Sequence, residues 1–223
     1  MKARFIFLVL PFLAACSPSP AAPVKPAPDR NLVLVHGFLE NGSAFHVMKR
    51  RLEKQGYHCL VPKLKPSDGR GGLEKLADGL KRDIDAAYGP SQPFSIIAFS
   101  MGGIVSRHYL QQLGGAPRCR NLFTISSPHH GTRAAWLYPT KGAEQMRPNS
   151  PFLAELKRTE ERLGRMHVVS YRTPLDLIIL PASSSKWDRA ENISHPALLH
   201  PLMVTSPTIL RDIETRLSAR DPR

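Results

Sequence analysis

The segment Phe94-Ser95-Ile96-Ile97-Ala98-Phe99-Ser100-Met101-Gly102-Gly103 constrains this chain more than any other. The apolar run from Phe94 to Ala98 has the length of a buried strand, and an amphipathic stretch begins at Gly103. Only one sharp turn fits between them, and Ser100 stands on it. Such a turn brings the backbone close to itself, so small residues are needed two before and two after the serine. Ala98 and Gly102 meet that need, with Gly103 as further relief. The hydroxyl of Ser100 then projects clear of the sheet as a candidate nucleophile. A plain serine cap at a helix start is the other reading of the same string, and the rest of the chain has to decide between them.

A second apolar run, Asn31 to Val35, ends in His36-Gly37-Phe38, as a buried parallel strand does when it opens into a functional loop. A third, Asn121 to Ser126, leads into Ser127-Pro128-His129-His130-Gly131-Thr132. The three motifs Leu34-Val35-His36-Gly37-Phe38, Ala98-Phe99-Ser100-Met101-Gly102-Gly103 and Ser127-Pro128-His129-His130-Gly131-Thr132, in this order and spacing, resemble those of bacterial lipases and esterases of the α/β-hydrolase superfamily, over roughly Asn31 to Leu217. Two departures stand out: Ala98 occupies a place usually held by Gly, and Phe99 one usually held by His. Neither is a catalytic position, so they bear on packing and substrate fit.

The resemblance implies an α/β fold, a mostly parallel sheet with helices on both faces. It also implies a serine hydrolase that cleaves carboxylic esters through an acyl-enzyme at Ser100. The backbone N–H groups of Phe38 and Met101 would form the oxyanion hole, and neither metal nor organic cofactor is required. Acyl transfer and thioester cleavage would use the same residues, and a non-catalytic envelope binding factor on this fold is a further alternative. On this fold the triad runs Ser, then Asp or Glu, then His along the chain, which leaves His195 and His200 as bases. His195, in a short polar segment that resembles a last strand's end, is the expected base. His200 is expected to cap or flank a helix. The expected acid is Asp176, after the strand Met166 to Ser170, with Asp188 beside Trp187 as runner-up.

His129 and His130 are adjacent, so their side chains diverge, and they read as lining a loop rather than ligating a metal. Cys59 and Cys119 fall on strands separated by two others, about 14 Å apart at the usual spacing, too far for a disulfide. They are expected to be free, buried thiols.

The N-terminus resembles a lipoprotein leader. Lys2 and Arg4 precede an apolar stretch, Phe5 to Leu13, too short to span a bilayer comfortably, and Leu13-Ala14-Ala15-Cys16 follows. The implied organisation is a signal peptide over 1–15, a lipidated Cys16 with a Pro/Ala-rich tether over 16–30, and one hydrolase domain over 31–223. Prolines at 18, 20, 23, 26 and 28 favour extended backbone, reaching on the order of 40 Å at ~3.1 Å per residue. Ser17 after the cysteine resembles lipoproteins sent to the outer membrane, facing the periplasm. The formal charge of +13 falls by two, to +11, when Lys2 and Arg4 leave. A tethered exported protein with no recognition motif is not expected to bind nucleic acid. Its basic surface suits an anionic lipid surface, in addition to the ester or lipid substrate.

Helical spacing of Leu73, Leu76, Leu80, Ile84 and Ala87 before Gly89-Pro90, and of Phe152, Leu153, Leu156 and Leu163 after Ser150-Pro151, predicts amphipathic helices between the strands. Residues 133–164 are an insertion that can house a lid, with Trp136, Leu137 and Tyr138 as candidate acyl contacts.

Overall fold

The computed structural model describes residues 30–219. The leader, Cys16 and the tether lie outside the described residues. Six strands, β1 (Asn31–Val35), β2 (His58–Leu60), β3 (Phe94–Phe99), β4 (Cys119–Ile125), β5 (His167–Arg172) and β6 (Glu191–Ser194), form one sheet in the order β2-β1-β3-β4-β5-β6. Every neighbouring pair is parallel. Between and after them come α1 (His46–Lys54), α2 (Leu73–Tyr88), α3 (Met101–Gln112), α4 (Lys141–Gln145), α5 (Pro151–Arg158), α6 (His200–Thr205) and α7 (Pro207–Ser218).

The strands are apolar on both sides because helices cover both. In β1, Val33 and Val35 belong to one core with residues of α2, α3 and α5, while Leu32 and Leu34 face a second core built from α1, α6 and α7. The alternation repeats in β3, where Ile96 and Ala98 join the first core and Ile97 and Phe99 the second. Ser150 caps α5 by accepting the Leu153 N–H at 3.2 Å, and Ser206 caps α7 by accepting the Ile209 N–H at 3.5 Å. Cys59 and Cys119 are free, on β2 and β4 with β1 and β3 between them. Cys119 is buried, and Cys59 is only half-buried because β2 is an edge strand.

The insertion divides into two parts with different attachments. Its second half, α5 and the 3-10 turn Glu160–Leu163, is fastened to α3. Gln111 Nε2 donates to Leu156 O at 2.6 Å and to Thr159 Oγ1 at 3.0 Å, and Arg107 Nη2 donates to Glu160 Oε1 at 2.8 Å. Arg107 is buried, its guanidinium 4.3 Å from the Trp187 ring. The first half is different, since Trp136, Leu137 and Tyr138 are all exposed. That half is tied instead to α2 and the loop before it: Leu73 N–H donates to Gln145 Oε1 at 2.7 Å, Gln145 Nε2 donates to Glu74 Oε1 at 2.6 Å, and Thr140 Oγ1 donates to Asp68 O at 2.8 Å. Among the described residues no helix is long and apolar enough to cross a membrane.

Candidate active site

Ser100 follows the last residue of β3 at φ 53°, ψ −125°, a backbone conformation that costs an L-residue about 1–3 kcal/mol. Its side chain makes no capping bond to α3, so the plain helix-cap reading does not hold. Close approach explains the glycines after it. A Cβ at Gly102 would stand 2.4 Å from Val35 O and 2.7 Å from His36 O, and one at Gly103 would stand 2.1 Å from Ser127 Oγ. The start of α3 therefore lies against the end of β1, which brings the His36–Phe38 loop beside the serine.

Two backbone donors flank Ser100. Met101 is the first residue of α3, where an N–H has no intrahelical acceptor. The Phe38 N–H also has no protein acceptor among the described residues, whereas the N–H of Leu39 donates to Ser67 O at 3.0 Å.

Asp176 lies on the loop after β5 and is buried. Its Oδ1 accepts the N–H groups of Ile178 and Ile179 at 2.9 and 2.8 Å, and its Oδ2 meets Nδ1 of His200 at 2.8 Å. Burial pushes the carboxyl's pKa up, but His200 and these two N–H groups together outweigh it and leave the group below its usual range. The His200 ring is itself buried and lies 4.7 Å from the ring of Phe99, the residue just before Ser100. Phe99 thus packs against the imidazole from the position that the resemblance leads one to expect His to occupy.

His195, the expected base, is placed elsewhere. It directly follows β6, its backbone N–H donates to Arg172 O at 2.8 Å, and its Nε2 meets Ser206 Oγ at 2.9 Å. The physical reason is distance across the sheet: β6 is three strand spacings from β3, about 14 Å. The chain needs the further segment Pro196–Leu199 to return over the sheet, and the first residue of α6, His200, arrives on Asp176. The runner-up acid Asp188 is exposed. His129 is buried between Arg107 and the Trp187 ring while His130 is exposed, so the pair diverges as expected. Among the described residues, no three His, Cys, Asp or Glu side chains are grouped as metal ligands would be.

Beside Ser100 is an apolar cavity of about 50 Å³ whose lining includes Phe38, Pro128, Tyr138, Met146, Ile178 and Ile179. The Tyr138 ring meets Phe38 edge-on at 4.9 Å and closes one side. A larger cleft of about 750 Å³, lined by Pro117, Arg162 and Arg165, opens beside the starts of β4 and β5, away from the serine.

The exposed large apolar side chains have a pattern that single-residue reading missed. Leu39 follows β1; Trp136, Leu137 and Tyr138 follow β4; Leu175, Leu177, Ile178 and Leu180 follow β5; Leu198, Leu199 and Leu202 follow β6. Among the described residues only Val47, on α1, and Leu202, on α6, are not on these loops. In a parallel sheet all these loops leave the same edge, the one that carries Ser100, so the apolar side chains form a rim around the site.

Residues 30–199 match the alpha/beta hydrolase fold family. A search of curated proteins finds no match. Among solved structures, mature lipase BlEst2 of Bacillus licheniformis has a TM-score of 0.71 at 16% identity, covering 87% of this chain and 94% of that one. Lipase B of Aspergillus fumigatus has 0.68 at 15%, covering 88% of this chain and 55% of that one. A pyrethroid hydrolase of Sphingobium faniae has 0.57 at 16%, covering 85% and 98%. Because the family match spans more than half of the sequence, and a six-stranded parallel sheet flanked by helices underlies it, the chain belongs to the alpha/beta hydrolase fold family.

Proposed function

We propose that the protein hydrolyses carboxylic esters, as a lipase or esterase, with Ser100 as nucleophile, His200 as base and Asp176 as the acid that orients it. The observation that carries this reading is the buried Asp176–His200 pair, held against Phe99 immediately before a strained Ser100. His200 takes the Ser100 proton as Oγ attacks the acyl carbon, and the C=O electrons move to oxygen. The N–H groups of Phe38 and Met101 meet that oxyanion. Collapse expels the alcohol, which receives the proton from His200. Water, deprotonated by His200, then attacks the acyl-enzyme, and collapse releases the acid as Ser100 Oγ leaves and takes the proton back from His200. Asp176 donates no proton in either half; it fixes the imidazole's tautomer and balances its charge. The apolar cavity beside Ser100 is suited to the acyl group.

Incubation with a fluorophosphonate tests this assignment. A single adduct on Ser100, lost in Ser100→Ala and in His200→Ala, is the expected result. No adduct on a folded domain would overturn it.

The rim suits an ester presented at a lipid surface. Exposed Lys63 and Lys65 after β2, Arg133 after β4 and Lys141 at the start of α4 favour an anionic one. We further propose that Cys16 is lipidated after cleavage of 1–15 and holds the protein in a bacterial envelope, at the outer membrane facing the periplasm. The domain from Ser17 onward is expected to bind anionic vesicles in a salt-sensitive way, with a blue shift from exposed Trp136, the other tryptophan being buried. Trp136→Phe should remove that shift. Binding indifferent to salt would rule out the electrostatic contribution. Cys16→Ser should release the full-length protein from membranes, and retention of that variant would reject the anchor.

A further inference from the structure

The turn that carries the Phe38 amide is held by the side chains of His36 and Glu40. Glu40 Oε2 accepts the Gly37 N–H at 3.0 Å. Leu64 N–H donates to Nε2 of His36 at 3.1 Å, which leaves the ring proton on Nδ1, and Nδ1 donates to Gly37 O at 2.9 Å. Leu39 sits at φ 59°, a left-handed conformation that a leucine rarely adopts, with its side chain exposed. The chain thus reverses between Gly37 and Glu40, at some cost in strain, and the carboxylate of Glu40 closes the reversal. Gly37 stands between that carboxylate and the nucleophile: a Cβ built on it would be 3.1 Å from Glu40 Oε2 and 3.1 Å from Ser100 Cβ.

We infer that Glu40 is a positioning residue, whose carboxylate holds the Gly37 N–H and so aims the Phe38 N–H at the oxygen that becomes charged during attack by Ser100. This rests on the reading of Phe38 as an oxyanion donor. An oxyanion donor acts in the transition state and contributes little to ground-state binding, so its misplacement lowers kcat and leaves KM in place. A negative charge on the turn that carries an oxyanion donor also opposes the developing oxyanion. The residue is therefore required for its acceptor oxygen and is not helpful for its charge. A glutamine, which keeps the oxygen and loses the charge, satisfies both conditions.

The test compares Glu40→Ala and Glu40→Gln with the unaltered domain, using p-nitrophenyl acetate for kcat and KM and amide hydrogen exchange for Gly37. Glu40→Ala is expected to lower kcat about 10- to 100-fold with KM within a few-fold, and to speed exchange at Gly37. Glu40→Gln is expected to recover most of both losses. A kcat for Glu40→Ala within a few-fold of the unaltered domain overturns the inference, as does a glutamine variant no better than alanine. The exchange readout separates the two levels of argument. If Ser100 takes no fluorophosphonate yet Gly37 protection still follows Glu40, the hydrolase reading has failed while the carboxylate's hold on the turn survives. If Gly37 protection ignores Glu40, the inference fails whatever the enzyme does. Glu40→Gln keeps size and shape, so a folding defect in the alanine variant does not decide the matter.

Discussion

Replacing His200 with alanine is expected to lower ester cleavage by about 10⁴-fold or more, the loss typical when a triad base is removed, whereas His195→Ala stays within a few-fold of the unaltered protein. The contrast follows from the hydrogen bonds each ring makes. His200 is buried on Asp176, with its ring against Phe99, the residue just before Ser100. His195 is bonded to Ser206 at the start of α7, so its loss is felt in the attachment of that helix and hence in stability. Asp176→Asn should resemble His200→Ala closely, because an amide in place of the carboxylate no longer favours the tautomer with its proton on Nδ1. Kinetics on a soluble p-nitrophenyl ester, with a thermal melt of each variant, separates the cases. Equal losses from both histidine variants, on folded proteins, would show that the Asp176–His200 pair is not the acid–base unit.

Glu160→Ala is expected to destabilise the domain by about 3 kcal/mol, since removing one partner strands a buried charge. For a protein of this size that corresponds to a fall in Tm of roughly 6–12 °C. Glu160 Oε1 receives both Arg107 Nη2, at 2.8 Å, and Trp187 Nε1, at 2.6 Å. Arg107 also has its guanidinium over Trp187 and donates to Leu156 O and Gln111 Oε1. Burial lowers the Arg107 pKa to about 10 even with Glu160 opposing the shift, and at neutral pH the group remains charged. Glu160→Gln keeps both acceptor contacts and should lose less. Urea midpoints of the two variants test this, and a Glu160→Ala midpoint equal to that of the unaltered protein would refute it.

The same cluster makes the domain sensitive to acid. Arg107 Nη1 can only donate, so His129 Nδ1, 3.5 Å away, is an acceptor, and the ring proton sits on Nε2 facing Thr124 Oγ1 at 3.1 Å. Burial first, and then Arg107, pushes the His129 pKa well below its usual value. The unfolded chain therefore binds this proton at a higher pH than the folded one. The contribution of neutral His129 is complete above about pH 6.5 and is lost as pH falls below it, at up to ~1.4 kcal/mol per pH unit. His36 is shifted in the same direction, chiefly by burial. Urea midpoints at pH 7 and pH 5 should fall accordingly, and fall less in His129→Gln. An equal acid loss in that variant would assign the effect to other groups.

The strand–turn–helix around Ser100 was legible in sequence because steric need leaves a residue-level mark: Gly102 and Gly103 stand where a side chain would strike the end of β1 and the loop after β4. The place of Asp176 on the loop after β5 was legible because an apolar strand leads into it. Which of His195 and His200 meets Asp176 was not, because it depends on how far β6 lies across the sheet from β3, and strand order has no local signature. The apolar rim was equally hidden. Its members look like scattered leucines along the chain and become neighbours only when the loops after β1, β4, β5 and β6 leave one edge. In sequence the insertion looks like one unit, whereas Arg107 and Gln111 on α3 hold only its second half.

All six strands run in one direction, and the first of them starts at Asn31, directly after the proline-rich tether. The polypeptide therefore enters the domain at the strands' tail, while Ser100 and its rim crown the heads. A body of about 190 residues is roughly 40 Å across, about as long as the tether when fully stretched. If Cys16 holds the protein to a bilayer, the rim faces outward from that bilayer, and folding back onto it would use the tether's whole reach. In that arrangement the site would meet esters in trans, on whatever surface or particle approaches from the side away from the anchoring bilayer.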